Sequence, residues 1–298
     1  MSESTLGRAE AGRGGLLAVE GRARTVLLFA FVAALFVGTG MVQSWNTALA
    51  IFNMGLVSAI MALGVNMQWG YAGLFNIGVM GFVALGGLAA VLVSMPPVGE
   101  AWAAGGGGMA LALTMGAATV AAAIFVSGRL PPGRARYLAT AVVAIGGFVL
   151  YRSLFDPARD AIEAVDPAAT GYLGGLGLPI VLAWPVGGLI AAGAAWVVGK
   201  TALGLRSDYL AIATLGIAEI IIAILKNEDW LARGVKNVSG LPRPVPYEVE
   251  LQNDPAFVER MTGWGFDPVT ASSITVKLGY AALFILVLVA LIWLTQAA

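Results

Sequence analysis

The sequence has no cysteine and no histidine among its 298 residues. That excludes disulfides, thiolate nucleophiles and the usual zinc ligand sets. Charge is scarce as well: 11% of residues are Asp, Glu, Lys or Arg, where a water-soluble domain carries about a quarter. The formal charges balance at zero, so no basic surface calls for nucleic acid. No glycine-rich loop followed by Lys-Ser or Lys-Thr stands in a strand-to-helix context, which excludes nucleotide binding through a P-loop. With no paired carboxylates, metal-ligand cluster or nucleophile beside a base, the chain offers no catalytic residues. It is expected not to be an enzyme and to hold neither metal nor cofactor.

What is present is apolar. Hydrophobic residues make up 59% of the chain and mean hydropathy is +0.85. They fall in blocks of about 18 to 21 residues, close to the roughly 20 needed to cross a hydrocarbon core of about 30 Å. Eight segments are read by length and flanks: 25–42, 47–67, 77–95, 109–127, 137–155, 178–198, 209–225 and 274–294. The fold class is therefore an all-α polytopic membrane protein with about eight transmembrane helices. Forty glycines suit helices that associate through close backbone approach.

Residues 1–24 form a polar tail with Arg8, Arg13, Arg22 and Arg24, and the apolar run after it lacks a clear cleavage site, so the first span is expected to stay. The remaining residues, 25–298, form one transmembrane domain. Arg129, Arg134 and Arg136, and then Lys200 and Arg206, fall on the same side as the tail, whereas the link 156–177 is acidic. By the distribution of cations the N-terminus is cytoplasmic. The polar stretch 227–273 then lies outside. Pro242, Pro244 and Pro246 make part of it extended, and Asp254-Pro255 to Met261 is suited to one short helix. The glycines after Pro96 read as a flexible connection, and Leu130-Pro131-Pro132-Gly133 as a turn.

Two places put polarity inside the membrane. Between Asn66 and Gly78, amides at Asn66, Gln68 and Asn76 alternate with Gly70, Gly73 and Gly78, a poor continuous helix. Non-helical backbone at that depth is tolerated only against protein or a water-filled path. The segment reads either as a pathway-lining turn or as an interfacial loop whose Trp69 and Tyr71 sit at headgroup level. Gly81, Gly86 and Gly87 continue the small-residue pattern into the third segment. The second place is Glu219, the one ionisable residue within 209–225. A carboxylate at that depth costs about 2.5–3.5 kcal/mol unless sheltered, and it is open to three readings: packing, pathway or gating, and proton coupling. Thr214, five residues earlier, lies about 140° around the helix from it.

Three stretches together resemble a known family. Gly70-Tyr71-Ala72-Gly73-Leu74 with Asn76-Ile77-Gly78, then Leu205-Arg206-Ser207-Asp208-Tyr209-Leu210-Ala211-Ile212-Ala213-Thr214-Leu215-Gly216 with Glu219-Ile220, and Asn237-Val238-Ser239-Gly240-Leu241-Pro242 look like the LivM-type permease of branched-chain amino acid ABC transporters. The resemblance implies an importer permease bundle that forms part of the path for branched-chain or related amino acids and amides. It implies four kinds of partner: a second, LivH-type permease, two cytoplasmic ATPase subunits carrying ATP and Mg, a periplasmic substrate-binding protein, and the lipid of a bacterial inner membrane. Gln68, Asn76, Thr214 and Glu219 are the candidates for lining or gating the path, with Gly70, Gly73, Gly78 and Gly81 serving turns and packing.

Departures from the family pattern are plain. Val79 stands near the place of a histidine, a glycine pair is reduced to Gly234, segment 137–155 looks inserted, and the ATPase-docking segment expected after the last span is missing, so the chain is expected to be truncated at its C-terminus. Two rivals remain from other classes: an ion-coupled secondary transporter using Glu219, and a non-transporting fragment.

Overall fold

The computed structural model describes residues 3–297, with the side chains of 3–20, 22 and 297 left aside; the expectations placed on Arg8, Arg13, Arg22 and an end at Ala298 lie outside the described residues. The chain is an all-α polytopic membrane protein. Among the described residues, seven helices are long and apolar enough to cross a bilayer, and an eighth apolar helix is shorter. The single β feature described is an isolated antiparallel bridge between Pro97 and Gly174.

In chain order the helices are α1 (Glu3–Val42), α2 (Trp45–Asn66), a π turn (Met67–Tyr71), α3 (Val79–Ser94), α4 (Gly99–Ala101), a second π turn (Trp102–Gly106), α5 (Gly107–Arg129), α6 (Arg134–Glu163), a 3₁₀ turn (Ile180–Leu182), α7 (Ala183–Ala202), α8 (Ser207–Asn227), α9 (Asp229–Ala232), α10 (Glu248–Asn253), α11 (Pro255–Gly263) and α12 (Pro268–Ala297). They group into two units, one of residues up to Met67 together with those from Val245 on, the other Gln68–Pro244.

In the first unit, Ser44 caps α2 by accepting from the Thr47 amide at 3.1 Å, and Phe36 packs on Trp45 and Phe52 to hold α1 against α2. Asn53 donates from Nδ2 to the Lys277 carbonyl at 3.0 Å, which joins α2 to α12. Two helices, α11 and α12, start at Asp-Pro steps. Asp254 accepts from the Ala256 amide at 3.1 Å ahead of α11, and Asp267 accepts from both the amide and hydroxyl of Thr270 ahead of α12. Proline has no N–H to lose at a first helical position, and the aspartate satisfies the next free donors. The helix expected from Asp254-Pro255 onward is therefore present. The stretch 227–273 is otherwise more ordered than a loop: it holds α9, α10 and α11, and α12 begins inside it at Pro268.

In the second unit, α5 and α6 form an antiparallel hairpin through the turn at Leu130–Gly133, and α3 packs between α7 and α8. The connection expected to be flexible after Pro96 is helical from Gly99 onward. Three of its glycines, Gly105, Gly106 and Gly108, are contact points: a Cβ on Gly105 would meet the Ala158 carbonyl at 2.5 Å and the Ile162 side chain at 2.8 Å. Close packing, not freedom, is what they supply. Ala101, Met109 and Ala112 from this side join Phe155, Ala158, Ile162 and Trp230 in a buried cluster, which also explains why α6 runs on to Glu163 rather than ending near Phe155. A cap of loops closes that end of the unit. Leu176 and Leu178 donate to the carbonyls of Leu92 and Val93, both at 2.9 Å, and Leu173 donates to Trp230 at 3.0 Å. Arg233, only 8% exposed, donates to the carbonyls of Ala168 and Asn237. Burial beneath this cap pushes the Tyr172 hydroxyl above its ordinary pKa.

Candidate functional site

The helical path of α2 fails where the amides and glycines are. A π turn spans Met67–Tyr71, and residues 72–78 are not helical. Gly73 makes the reversal at φ +65°, a left-handed conformation that costs glycine little. The freed backbone groups then find partners locally. Leu74 donates to the Gln68 carbonyl at 2.8 Å and Asn76 to the Leu74 carbonyl at 3.0 Å. Trp69 meets Phe75 edge to face, with ring centroids 4.8 Å apart, which folds the turn onto itself.

The side chains complete the network. Asn76 donates from Nδ2 to Oε1 of Gln68 at 2.8 Å and accepts at Oδ1 from the Gly78 amide at 2.8 Å. Thr214 on α8 accepts from the Ile77 amide at 3.2 Å while its own hydroxyl donates to the Ala211 carbonyl at 3.0 Å. A buried threonine thus ties the broken segment to an intact helix. Two glycines permit this approach. A Cβ on Gly78 would overlap the Thr214 carbonyl, and one on Gly81 would lie 3.0 Å from the Ala218 Cα. Leu210, Thr214 and Ala218, spaced by four, are the buried face of α8 that receives them.

Beside this contact lies a cavity of about 200 Å³ lined by Gln68, Leu74, Asn76, Phe82, Ala195, Val198, Gly199, Leu203, Leu210 and Thr214. It is smaller than the roughly 300 to 1,000 Å³ of ordinary small-molecule pockets, and its lining is mostly apolar. Three of the four expected polar residues, Gln68, Asn76 and Thr214, meet here. The Gln68 Oε1 is the atom held by Asn76, so its Nε2 is the end that carries donors. The fourth, Glu219, is exposed on another face of α8 and does not line the cavity. Among the expected glycines, Gly70 sits in the π turn and Gly73 at the reversal, while Gly78 and Gly81 make the contact with α8. The wall from α7, with Ala195, Val198 and Gly199, was not foreseen. Apolar residues lining a cavity look the same in sequence as apolar residues facing lipid. Among the described residues no group of His, Cys, Asp or Glu is arranged to hold a metal.

No family model matches the chain, and no solved structure matches it. Two curated proteins do. The "High-affinity branched-chain amino acid transport system permease protein LivM" of Escherichia coli K12 is 36% identical over 104 residues, 35% of this chain and 23% of the relative. The protein of the same name from Salmonella typhimurium LT2 matches with the same identity and coverage. The match therefore spans less than a quarter of either relative's length. Over that third of its own length, this multi-pass chain is similar to the LivM permeases of branched-chain amino acid transport.

Proposed function

We propose that the chain is a membrane-spanning permease subunit of an ATP-driven importer, forming part of the path for branched-chain amino acids or related small amides. The observation that carries this reading is the broken helix at 67–78, whose amides Gln68 and Asn76 face a small, mostly apolar cavity together with Thr214. Such a cavity supplies a few fixed donors and acceptors for the polar end of a solute and a greasy wall for an aliphatic side chain. The likeness to LivM supports the same solute class.

In this reading ATP and Mg belong to two cytoplasmic ATPase subunits, and a second, LivH-type permease and a periplasmic binding protein complete the assembly in a bacterial inner membrane. The N-terminus is cytoplasmic in this reading, by the general bias of cations toward the cytoplasmic side. Transport follows from alternating access, with the helices on either side of the broken segment reorienting around the cavity. Glu219 faces away from the cavity, and its cost in lipid is relieved by a partner helix.

The test is uptake of labelled leucine by cells carrying the assembled transporter. Asn76→Leu is expected to lower uptake about tenfold, the value of one or two hydrogen bonds, with membrane assembly unchanged. Full uptake by that variant would remove the cavity from the path. Uptake that persists without ATPase subunits and collapses with an uncoupler would replace the importer by an ion-coupled carrier.

A further inference from the structure

The α5–α6 hairpin holds an open apolar groove of about 570 Å³ along the two helices. It is lined from Gly116 to Ser127 on α5 and from Thr140 to Tyr151 on α6. The eleven-residue advance from Thr140 to Tyr151 is about 16 Å of helix, close to the roughly 15 Å of one leaflet's hydrocarbon. One end of the groove is chemically distinct. It opens toward the hairpin turn, where Arg129, Arg134 and Arg136 gather within eight residues.

Arg136 is one turn before Thr140, so it continues the groove-lining face of α6, and it is half-buried there. None of the three arginines is in an ion pair with another described residue; the ion pairs described involve Arg152, Arg159 and Lys236. No Asp or Glu occurs between Glu100 and Asp156 to neutralise them. Thr140 adds a polar atom, since its Oγ1 has no hydrogen-bond partner. An apolar trough one leaflet long, ending in unneutralised guanidinium groups at the membrane boundary, has the layout of a phospholipid.

We propose that this groove is a binding site for an anionic phospholipid, with one acyl chain along α5 and α6 and the phosphate at Arg136, flanked by Arg134 and Arg129. A guanidinium suits this role because its fork of donors matches phosphate oxygens. A zwitterionic lipid offers the same phosphate but brings its own cation, which weakens the attraction.

The experiment is native mass spectrometry of the full chain released from bilayers containing equal phosphatidylglycerol and phosphatidylcholine. Retention of phosphatidylglycerol is expected to exceed that of phosphatidylcholine at least about fivefold, and Arg136→Gln is expected to cut that preference by about the same factor. Ala144→Phe, which fills the groove, is expected to abolish the retained lipid, with helix content by circular dichroism confirming the fold. If Ala144→Phe does not fold, the Arg136→Gln result decides alone. Equal retention of the two lipids overturns the proposal, as does an unchanged preference when Arg129, Arg134 and Arg136 are all replaced by glutamine. A photo-crosslinker at Ala144 that joins another protein instead of lipid overturns it too, assigning the groove to a second copy or a partner helix.

Discussion

Two polar clusters are set into otherwise apolar helices, and they are built in opposite ways. In the first unit, Lys277 on α12 donates to the carbonyl of Asn46 at 3.0 Å and also to its side chain, while Asn53 holds the Lys277 carbonyl. The two helices it joins, α2 and α12, run unbroken past it. In the second unit, Gln68, Asn76 and Thr214 carry no charge at all, yet they surround a hollow where the backbone has left the helix. Charge inside a membrane is commonly taken as the mark of function. Here the charged cluster clamps two intact helices, and the neutral cluster sits where the backbone breaks beside a hollow. Broken backbone is the better guide, because freed N–H and C=O groups are tolerated only where something other than lipid faces them.

The comparison breaks most sharply at Gly78. Gly78→Val drives a side chain into the Thr214 backbone, which cannot move aside as a flexible side chain would, and is expected to destabilise by about 3 kcal/mol or more, measured as loss of monodisperse, thermally cooperative protein in detergent. Next in size is Thr214→Val, which leaves the Ile77 amide without its partner and is expected to cost about 1–3 kcal/mol together with a fall in uptake. Lys277→Met, set against it, is expected to cost about 1–3 kcal/mol, because the ammonium donates charge-assisted bonds to Asn46, and to leave uptake unaltered. A Lys277→Met variant that stops uptake while Asn76→Leu transports normally would invert the roles given to the two clusters.

The smallest effect belongs to Asp267. The amide and then the hydroxyl of Thr270 hold its carboxyl below the ordinary value of 3.8. A depressed carboxylate stabilises the fold fully above that ordinary value, and the contribution is lost as pH falls through the lowered one. Asp267→Asn is expected to flatten this part of the acid limb of a melting-temperature profile and to change little at neutral pH.

How much of this was legible in the residues differs between the two clusters. The break after Asn66 could be read because amides and glycines alternate there, and the opposite placement of Thr214 and Glu219 follows from helical geometry. The Asp-Pro start of α11 was equally plain. Lys277 was passed over: standing at the edge of an apolar run, it reads as a flank, and its clamp on Asn46 needs a partner 231 residues away in sequence. Gly105 misled for a related reason. A glycine that permits motion and a glycine that permits contact are the same letter, and only the neighbour, here Ala158, tells them apart.

The bracket made by Arg233 has a consequence for how the rim comes apart. One side chain holds the carbonyls of two separate loops, at Ala168 and at Asn237. Neither loop can lift without straining a group the other also uses, so a single truncation, Arg233→Ala, should loosen both together.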